Sequence, residues 1–122
     1  MTENVGLVVD DEESISGLIK KYFSKSGIPI VTAKNGIEAK EILGSQKIGF
    51  IITDIVMPKM NGNDLVEFIQ QDYPQIPIFI ITGDCGCIDA KIKNFPCLKG
   101  TFLKPFDLNE MRSTIIEVFE SQ

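Results

Sequence analysis

Polar side chains able to do chemistry stand at the ends of four short apolar runs in this chain. Asp10 and Asp11 follow VGLVV, Asp54 follows GFIIT, Thr82 closes IPIFIIT and Lys104 follows TFL. If these runs are neighbouring strands, three carboxylates meet at one sheet edge and repel one another unless a cation offsets their charge. A hydroxyl and an ammonium beside that cation would receive an anion with several oxygens, such as phosphate. One carboxylate could then act as a nucleophile on phosphorus.

The types of the remaining residues narrow the choice of cation and of reaction. A few oxygen ligands with room for water favour magnesium over softer metals. The chain contains no histidine, which excludes a histidine of its own as general base, metal ligand or phosphate carrier. Its three cysteines, Cys85, Cys87 and Cys97, lack a fourth zinc ligand and are interpreted as buried or half-buried thiols.

The apolar pattern predicts the elements that would position these side chains. Short runs rich in valine and isoleucine predict buried strands at residues 5 to 9, 28 to 33, 49 to 53, 76 to 82 and 101 to 103. Helical spacing of apolar residues follows each strand, although the fourth helix, around Ile88 to Phe95, is weak and short. Asp107 is predicted to cap the last helix. Five alternating strands and helices indicate an α/β fold, with a parallel sheet covered on both faces.

Length and composition limit the class of protein. The whole chain, residues 1–122, is predicted to be one domain. Apolar residues make up 43% of it, yet no apolar run approaches the roughly 20 residues that cross a bilayer, so membrane insertion is not expected. The N-terminus lacks the pattern of a signal peptide, which predicts a cytoplasmic location. The net charge is −5 with scattered basic residues, and direct binding of nucleic acid is therefore not expected.

Taken together, Asp10-Asp11, Asp54 within DIVMPKMNG, Thr82 and Lys104 within KPF resemble the receiver domain of two-component response regulators. The resemblance covers essentially the whole chain and implies a flavodoxin-like sheet of strand order 2-1-3-4-5 with five helices. It implies Asp54 as phosphoacceptor, with Thr82 and Lys104 contacting the phosphoryl group. It further implies Mg²⁺ held by Asp10, Asp11, Asp54 and the backbone carbonyl of Val56. Pro105 would follow a cis peptide bond, and Gly62 would permit the backbone turn after the strand.

Each of these residues also has a purely structural interpretation. Asp54 could be a polar strand end or a helix cap, and Asp10 or Asp11 could cap the first helix. Thr82 is an ordinary residue for a strand, and Lys104 alone would be a solvated lysine. Their functional interpretation depends on Asp54.

Three positions depart from the family pattern. Receivers usually carry an aromatic residue three positions before the lysine, where this chain has Thr101. Phe102 lies one place later, and side-chain alternation along a strand predicts that it points to the opposite face. Val56 and Asp84 stand where the family borders the phosphoryl group, and an acidic Asp84 could steer or hinder an attacking water.

The resemblance implies a phosphorelay switch. A sensor histidine kinase or histidine phosphotransfer protein would donate the phosphoryl group to Asp54. The face made by the fourth helix, fifth strand and fifth helix would then change for an unknown downstream protein. The chain would not be an enzyme beyond Mg-dependent self-phosphorylation and autodephosphorylation at Asp54. Two alternatives remain: a degenerate receiver that binds partners without phosphate, and a haloacid dehalogenase-type hydrolase. The hydrolase would carry DxD on the first strand and a cap domain, where this chain has DD and little spare length.

Overall fold

A computed structural model describes residues 5–57 and 60–120 of the chain. Its centre is one sheet of five parallel strands in the order β2-β1-β3-β4-β5, which confirms the predicted fold class and strand order. The strands are Gly6–Val9 (β1), Ile30–Ala33 (β2), Phe50–Asp54 (β3), Ile78–Thr82 (β4) and Leu98–Leu103 (β5). The three central strands are buried along their whole length, as their unbroken apolar runs predict. Pro58 and Lys59, within the motif after Asp54, lie outside the described residues.

Four α-helices cover the two faces of the sheet: Glu13–Ser24 (α1), Gly36–Ser45 (α2), Gly62–Asp72 (α3) and Leu108–Glu120 (α4). On one face, α1 and α4 pack Ile19, Phe23, Met111 and Ile115 against the inner strands. On the other, α2 and α3 pack residues such as Leu43, Leu65 and Ile69. None of the helices in the described ranges is long and apolar enough to span a bilayer.

The predicted fourth helix of five is wrong. The stretch Ile88 to Phe95 contains only the short 3-10 turn Ile92–Asn94, and a second such turn, Cys85–Cys87, precedes it. Pro96 disfavours helical backbone at the residue before it, and Phe95 is extended with φ −68° and ψ 132°. Ile88, Ile92 and Cys97 are nevertheless buried against the sheet. Residues 83–97 therefore cover the sheet as an irregular segment, and apolar spacing alone predicted burial correctly but not helix.

The register of the strands brings the four polar positions to one edge. Val9 of β1 pairs with Thr53, Asp54 with Ile81, and Thr82 with Leu103. Because the strands are parallel, their carboxyl ends meet at the same edge of the sheet. Asp10 and Lys104, which follow β1 and β5, consequently stand beside the ends of β3 and β4.

Candidate functional site

Asp54 is the last residue of β3 and is only 6% exposed. Its Oδ1 accepts a hydrogen bond of 2.7 Å from the Ile55 backbone N–H, which fixes the orientation of the carboxylate. Gly62, at the start of α3, donates its N–H to the Ile55 carbonyl at 2.8 Å. A Cβ at Gly62 would collide with the Asp54 backbone carbonyl. Glycine is therefore needed here because the helix start approaches β3 closely, rather than for an unusual φ angle.

Lys104 places its ammonium among three carboxylates. Its Nζ lies 3.0 Å from Asp54 Oδ2, 3.4 Å from Glu12 Oε1 and 3.8 Å from Asp10 Oδ2. Its backbone N–H donates to the Thr82 carbonyl at 2.8 Å, and a cis peptide bond joins it to Pro105. Burial acts to lower the pKa of Lys104, but the hydrogen bond to Asp54 and the nearby carboxylates outweigh it and raise the pKa. The lysine is thus a cation at neutral pH, held between β1 and β3.

Asp10 is the most deeply buried charged residue of the site, at 1% exposure. Its Oδ1 accepts from the Glu12 backbone N–H at 2.9 Å. Its Oδ2 has no hydrogen-bond partner among the described residues, since the Lys104 ammonium at 3.8 Å is too distant for a hydrogen bond. Burial is the main cause that raises the pKa of Asp10 to about 6, and the charge of Asp54 adds to it. A buried carboxylate oxygen thus faces the site without a close donor.

The acidic cluster differs in one member from the three carboxylates predicted from the sequence, because Glu12 takes the place of Asp11. One oxygen from each of Asp10, Glu12 and Asp54 lies within 4.8 Å of the other two. Asp11 lines the neighbouring pocket but is exposed, and its carboxylate is not in this cluster. Glu12 occupies the N-cap position of α1 without a side-chain cap bond. Sequence reasoning missed Glu12, although the run of four acids at residues 10–13 was the available signal.

An open pocket of about 390 Å³ lies over Asp54. It is lined by Asp11, Glu12, Asp54, Val56, Thr82, Gly83, Asp84, Cys87 and Lys104. Every residue named for the site from the sequence, except the buried Asp10, therefore borders one pocket. Val56, which is 65% exposed, also lines the pocket, two residues after Asp54. The pocket is large enough to hold a phosphoryl group.

The far wall of the pocket is a tight turn after β4. Thr82, 2% exposed, donates its hydroxyl to the Asp84 carbonyl and accepts from the Asp84 N–H, both at 3.2 Å. The Asp84 carboxylate accepts from the Gly86 N–H at 2.8 Å and lies 3.8 Å from the Cys87 sulfur. Partial burial and this carboxylate raise the pKa of the Cys87 thiol. Cys87 and Cys97 are free thiols, half-buried and buried respectively, as the sequence predicted.

Thr101 and Phe102 face opposite sides of β5. Thr101 is exposed, whereas Phe102 is half-buried and stacks on Phe79 with ring centroids 6.2 Å apart. Phe102 thereby belongs to the core under α1 and α4. The aromatic residue that receivers usually place beside the threonine and lysine has no counterpart at Thr101.

The donor set suits a hard divalent cation. The ligands available are carboxylate oxygens and backbone carbonyls, which Mg²⁺ prefers, and one of the buried oxygens has no close donor. A cation beside Asp10 would offset the repulsion between its charge and that of Asp54. The residues therefore fit Mg²⁺.

Comparison with known proteins matches residues 7–116 to the family described as "Response regulator receiver domain". The chain belongs to this family. The receiver domain's parallel sheet and its strand order are those that the resemblance implied.

Relatives of this receiver domain include bacterial signalling proteins. It is 34% identical over 116 residues to the response regulator protein PilR of Pseudomonas aeruginosa, covering 94% of this chain and 26% of that protein. The chain spans between 13% and 33% of the length of its first curated relatives.

Solved receiver structures superpose along nearly the whole chain. A response regulator receiver protein from Pseudomonas putida has a TM-score of 0.87 at 28% identity, covering 96% of this chain and 98% of that one. The response regulator protein TrrA from Thermotoga maritima, solved in complex with Mg(2+)-BeF, has a TM-score of 0.84 at 26% identity. That superposition covers 93% of this chain and 97% of TrrA.

Proposed function

We propose that this receiver accepts a phosphoryl group on Asp54 from the phosphohistidine of a sensor kinase or phosphotransfer protein, and switches its surface for a partner. The observation that carries the proposal is the ion pair of 3.0 Å between Lys104 Nζ and Asp54 Oδ2, beside the unpartnered oxygen of the buried Asp10. A buried carboxylate fixed next to a cation and an open pocket is placed to attack an incoming phosphorus atom.

In the transfer, an oxygen of Asp54 forms a bond to phosphorus while the bond from phosphorus to the donor histidine nitrogen breaks. The electron pair of the broken bond stays on that nitrogen, and Asp54 becomes an aspartyl phosphate. Because this chain has no histidine, the donor must be a separate protein or domain. The Ile55 N–H holds the carboxylate in position before the attack, at 2.7 Å. The receiver's contribution is positioning and charge stabilisation, as is usual in phosphoryl transfer.

Mg²⁺ would be held by Asp10, Asp11, Asp54 and the Val56 backbone carbonyl, and Glu12 is close enough to contribute through water. Bound Mg²⁺ would neutralise charge on the phosphoryl oxygens and so allow them to approach the carboxylates. The Mg(2+)-BeF complex of TrrA supports Mg²⁺ as the cation, because that protein superposes on this receiver with a TM-score of 0.84.

Thr82 and Lys104 would recognise the phosphoryl group. Phosphorylation adds roughly 1.5 to 2 negative charges and three acceptor oxygens. Lys104 is already at the pocket and needs only to exchange the Asp54 carboxylate for a phosphoryl oxygen. Thr82 must turn its hydroxyl away from the Asp84 carbonyl, which it now donates to. These changes of hydrogen-bond partner would supply the free-energy difference between the unmodified and the phosphorylated conformations.

The altered surface would lie on the face of β5, with residues 83–97 and α4 beside it. Leu103 at the end of β5 is 54% exposed on this face. We expect the target to be a protein, met in the cytoplasm, either as a further domain of the same polypeptide or as a separate chain. The length of PilR, of which this chain spans 26%, makes both arrangements reasonable.

Intact-mass spectrometry after incubation with acetyl phosphate and Mg²⁺ tests the proposal. We expect one added phosphoryl group on the wild type, lost on removal of Mg²⁺ and absent from Asp54→Asn. A folded wild type that gains no adduct at short times and does not bind beryllofluoride would contradict it.

The exposed Thr101 favours one second candidate, a receiver that binds partners without phosphate. The same measurement separates the two, because such a module would bind Mg²⁺ and its partner without forming an adduct.

A further inference from the structure

Three side chains on one face of α3 make polar contacts with the irregular segment 83–97. Asn63, Glu67 and Gln70 stand at positions i, i+4 and i+7, which lie on one side of a helix. Glu67 pairs with Lys91 at 2.8 Å, and Gln70 accepts from the Cys97 N–H at 3.3 Å. Side chains of α3 therefore attach residues 83–97, the segment for which a fourth helix was predicted, to the rest of the domain.

Asn63 makes the strongest of these attachments. Its Nδ2 donates to the Cys87 carbonyl and its Oδ1 accepts from the Asp89 N–H, both at 2.9 Å. Asn63 is 8% exposed, whereas the side chains of Lys91 and Glu67 in the ion pair are 59% and 37% exposed. A buried amide that satisfies a donor and an acceptor holds more firmly than an exposed ion pair.

The same amide bonds to Cys87, which lines the pocket over Asp54. Asn63 directly follows Gly62, which packs against the Asp54 backbone. Its partner Cys87 donates its N–H to the Asp84 carbonyl at 3.1 Å, and that carbonyl also accepts the Thr82 hydroxyl. A continuous series of hydrogen bonds thus runs from Thr82 through Asp84 and Cys87 to Asn63.

We propose that Asn63 is a positioning residue that couples modification of Asp54 to the surface formed by α3 and residues 83–97. In the unmodified protein the Asn63 amide is hydrogen-bonded to Cys87 and Asp89, and we expect these hydrogen bonds to break when Thr82 turns toward a phosphoryl group. A hydroxyl has one proton, so donation to a phosphoryl oxygen ends donation to the Asp84 carbonyl. The turn at residues 84–87, which places the Cys87 carbonyl beside Asn63, then loses its hydrogen bond from the Thr82 hydroxyl. This inference rests on the proposed function and adds a second face, on α3, to the surface that changes.

Amide hydrogen exchange followed by NMR tests the coupling, with the Asp89 and Cys87 amides as reporters and the amide of Tyr73, the C-cap residue of α3, as reference. We expect Mg²⁺ and beryllofluoride to speed exchange at both reporters in the wild type by about 5- to 10-fold, the effect of losing one hydrogen bond. Exchange at Tyr73, which donates to Ile69, should not change.

Asn63→Ala should reproduce the faster exchange at Cys87 without beryllofluoride, although Cys87 N–H bonds to Asp84 and not to Asn63. By reciprocity it should also bind beryllofluoride about 5-fold more tightly, because the release has already occurred. A merely structural residue would not raise this affinity when removed.

Asn63→Asp is a second variant in case the alanine variant folds poorly. It keeps the acceptor for the Asp89 N–H and loses the donor to the Cys87 carbonyl, and should also speed exchange at Cys87 and tighten binding of beryllofluoride. Glu67→Gln is the matched control on the same helix and should change neither quantity.

The outcomes separate the two hypotheses. If the wild type does not bind beryllofluoride, both the proposed function and this coupling fail. If the wild type binds but its reporter amides are unchanged or slower, the coupling alone is wrong. Unchanged or weaker binding by both Asn63 variants would likewise overturn it.

Discussion

The Lys104 ammonium lies 3.0 Å from Asp54 Oδ2 but 3.8 Å from Asp10 Oδ2. The same cation therefore stabilises the charge of Asp54 more than that of Asp10. Asp54 receives a hydrogen bond from Lys104, whereas Asp10 Oδ2 receives only the weaker attraction of a distant charge. A buried carboxylate that lacks a partner costs free energy when ionised. The ionised Asp10 therefore lowers the free energy of unfolding, and a divalent cation bound beside it would offset that cost.

Asp10→Asn should stabilise the metal-free protein. The amide keeps an acceptor for the Glu12 N–H and removes the unpaired charge, and we expect a gain on the order of 2 kcal/mol in the free energy of unfolding. Urea denaturation in the presence of EDTA measures it. Added Mg²⁺ should stabilise the wild type and have much less effect on the variant. A variant less stable than the wild type would contradict the burial of an unpaired charge.

The stability difference between wild type and Asp10→Asn should depend on pH. The folded pKa of Asp10 is raised from 3.8 to about 6, so the folded state binds more protons than the unfolded state between these values. Wild-type stability relative to the variant therefore falls as the pH rises from about 4 to 6, and is constant above that. Denaturation of both proteins in EDTA across this range measures the difference, in which the other titrating groups cancel. A difference that does not vary with pH would show that Asp10 has an ordinary pKa.

The sequence was sufficient to predict the sheet because its signal is direct. Unbroken apolar runs such as those of β1, β3 and β4 are typical of strands buried on both faces, and a polar residue at the end of each run identifies the edge. Strand order came with the family resemblance, because periodicity does not specify which strands are neighbours.

Apolar periodicity missed two features, one for a local reason and one because of a residue distant in the sequence. Ile88 and Ile92 have helical spacing. The Asp84 carboxylate and Pro96, which flank them, favour turns instead of a helix. Glu12 enters the acidic cluster because Lys104, 92 positions away, draws its carboxylate to the site. Neither the turn nor the distant lysine leaves a periodic signal in the sequence.

Gly62→Ala should destabilise the protein by about 1 to 3 kcal/mol, the usual cost of overpacking. The added methyl group would collide with the Asp54 carbonyl and displace β3 or α3. Gly17→Ala is the matched control, since a Cβ there meets nothing within 4 Å in the middle of α1. That change should stabilise by about 0.5 to 1 kcal/mol, because alanine favours helix more than glycine does. Equal effects of the two changes in urea denaturation would contradict the close approach.

Phe102→Leu should lower stability by about 1 kcal/mol while leaving the affinity for beryllofluoride unchanged. The ring stacks on Phe79 in the core on the α1 and α4 side of the sheet, and its loss removes aromatic contact there. Denaturation measures the first effect and titration with Mg²⁺ and beryllofluoride the second. A large change in affinity would show that Phe102 takes part in switching despite facing away from Thr101.

Lys104→Gln should tighten the binding of Mg²⁺ by about 5-fold, because a positive charge near 4 Å from the ligands is worth on the order of 1 kcal/mol even in water. The same change should weaken binding of beryllofluoride in the presence of Mg²⁺, since the ammonium that meets the anion is gone. Isothermal titration calorimetry measures both affinities. Lys91→Gln removes the same charge from the exposed pair with Glu67 and should alter neither. If Lys104→Gln binds Mg²⁺ no more tightly than Lys91→Gln, the lysine does not compete with the metal for these carboxylates.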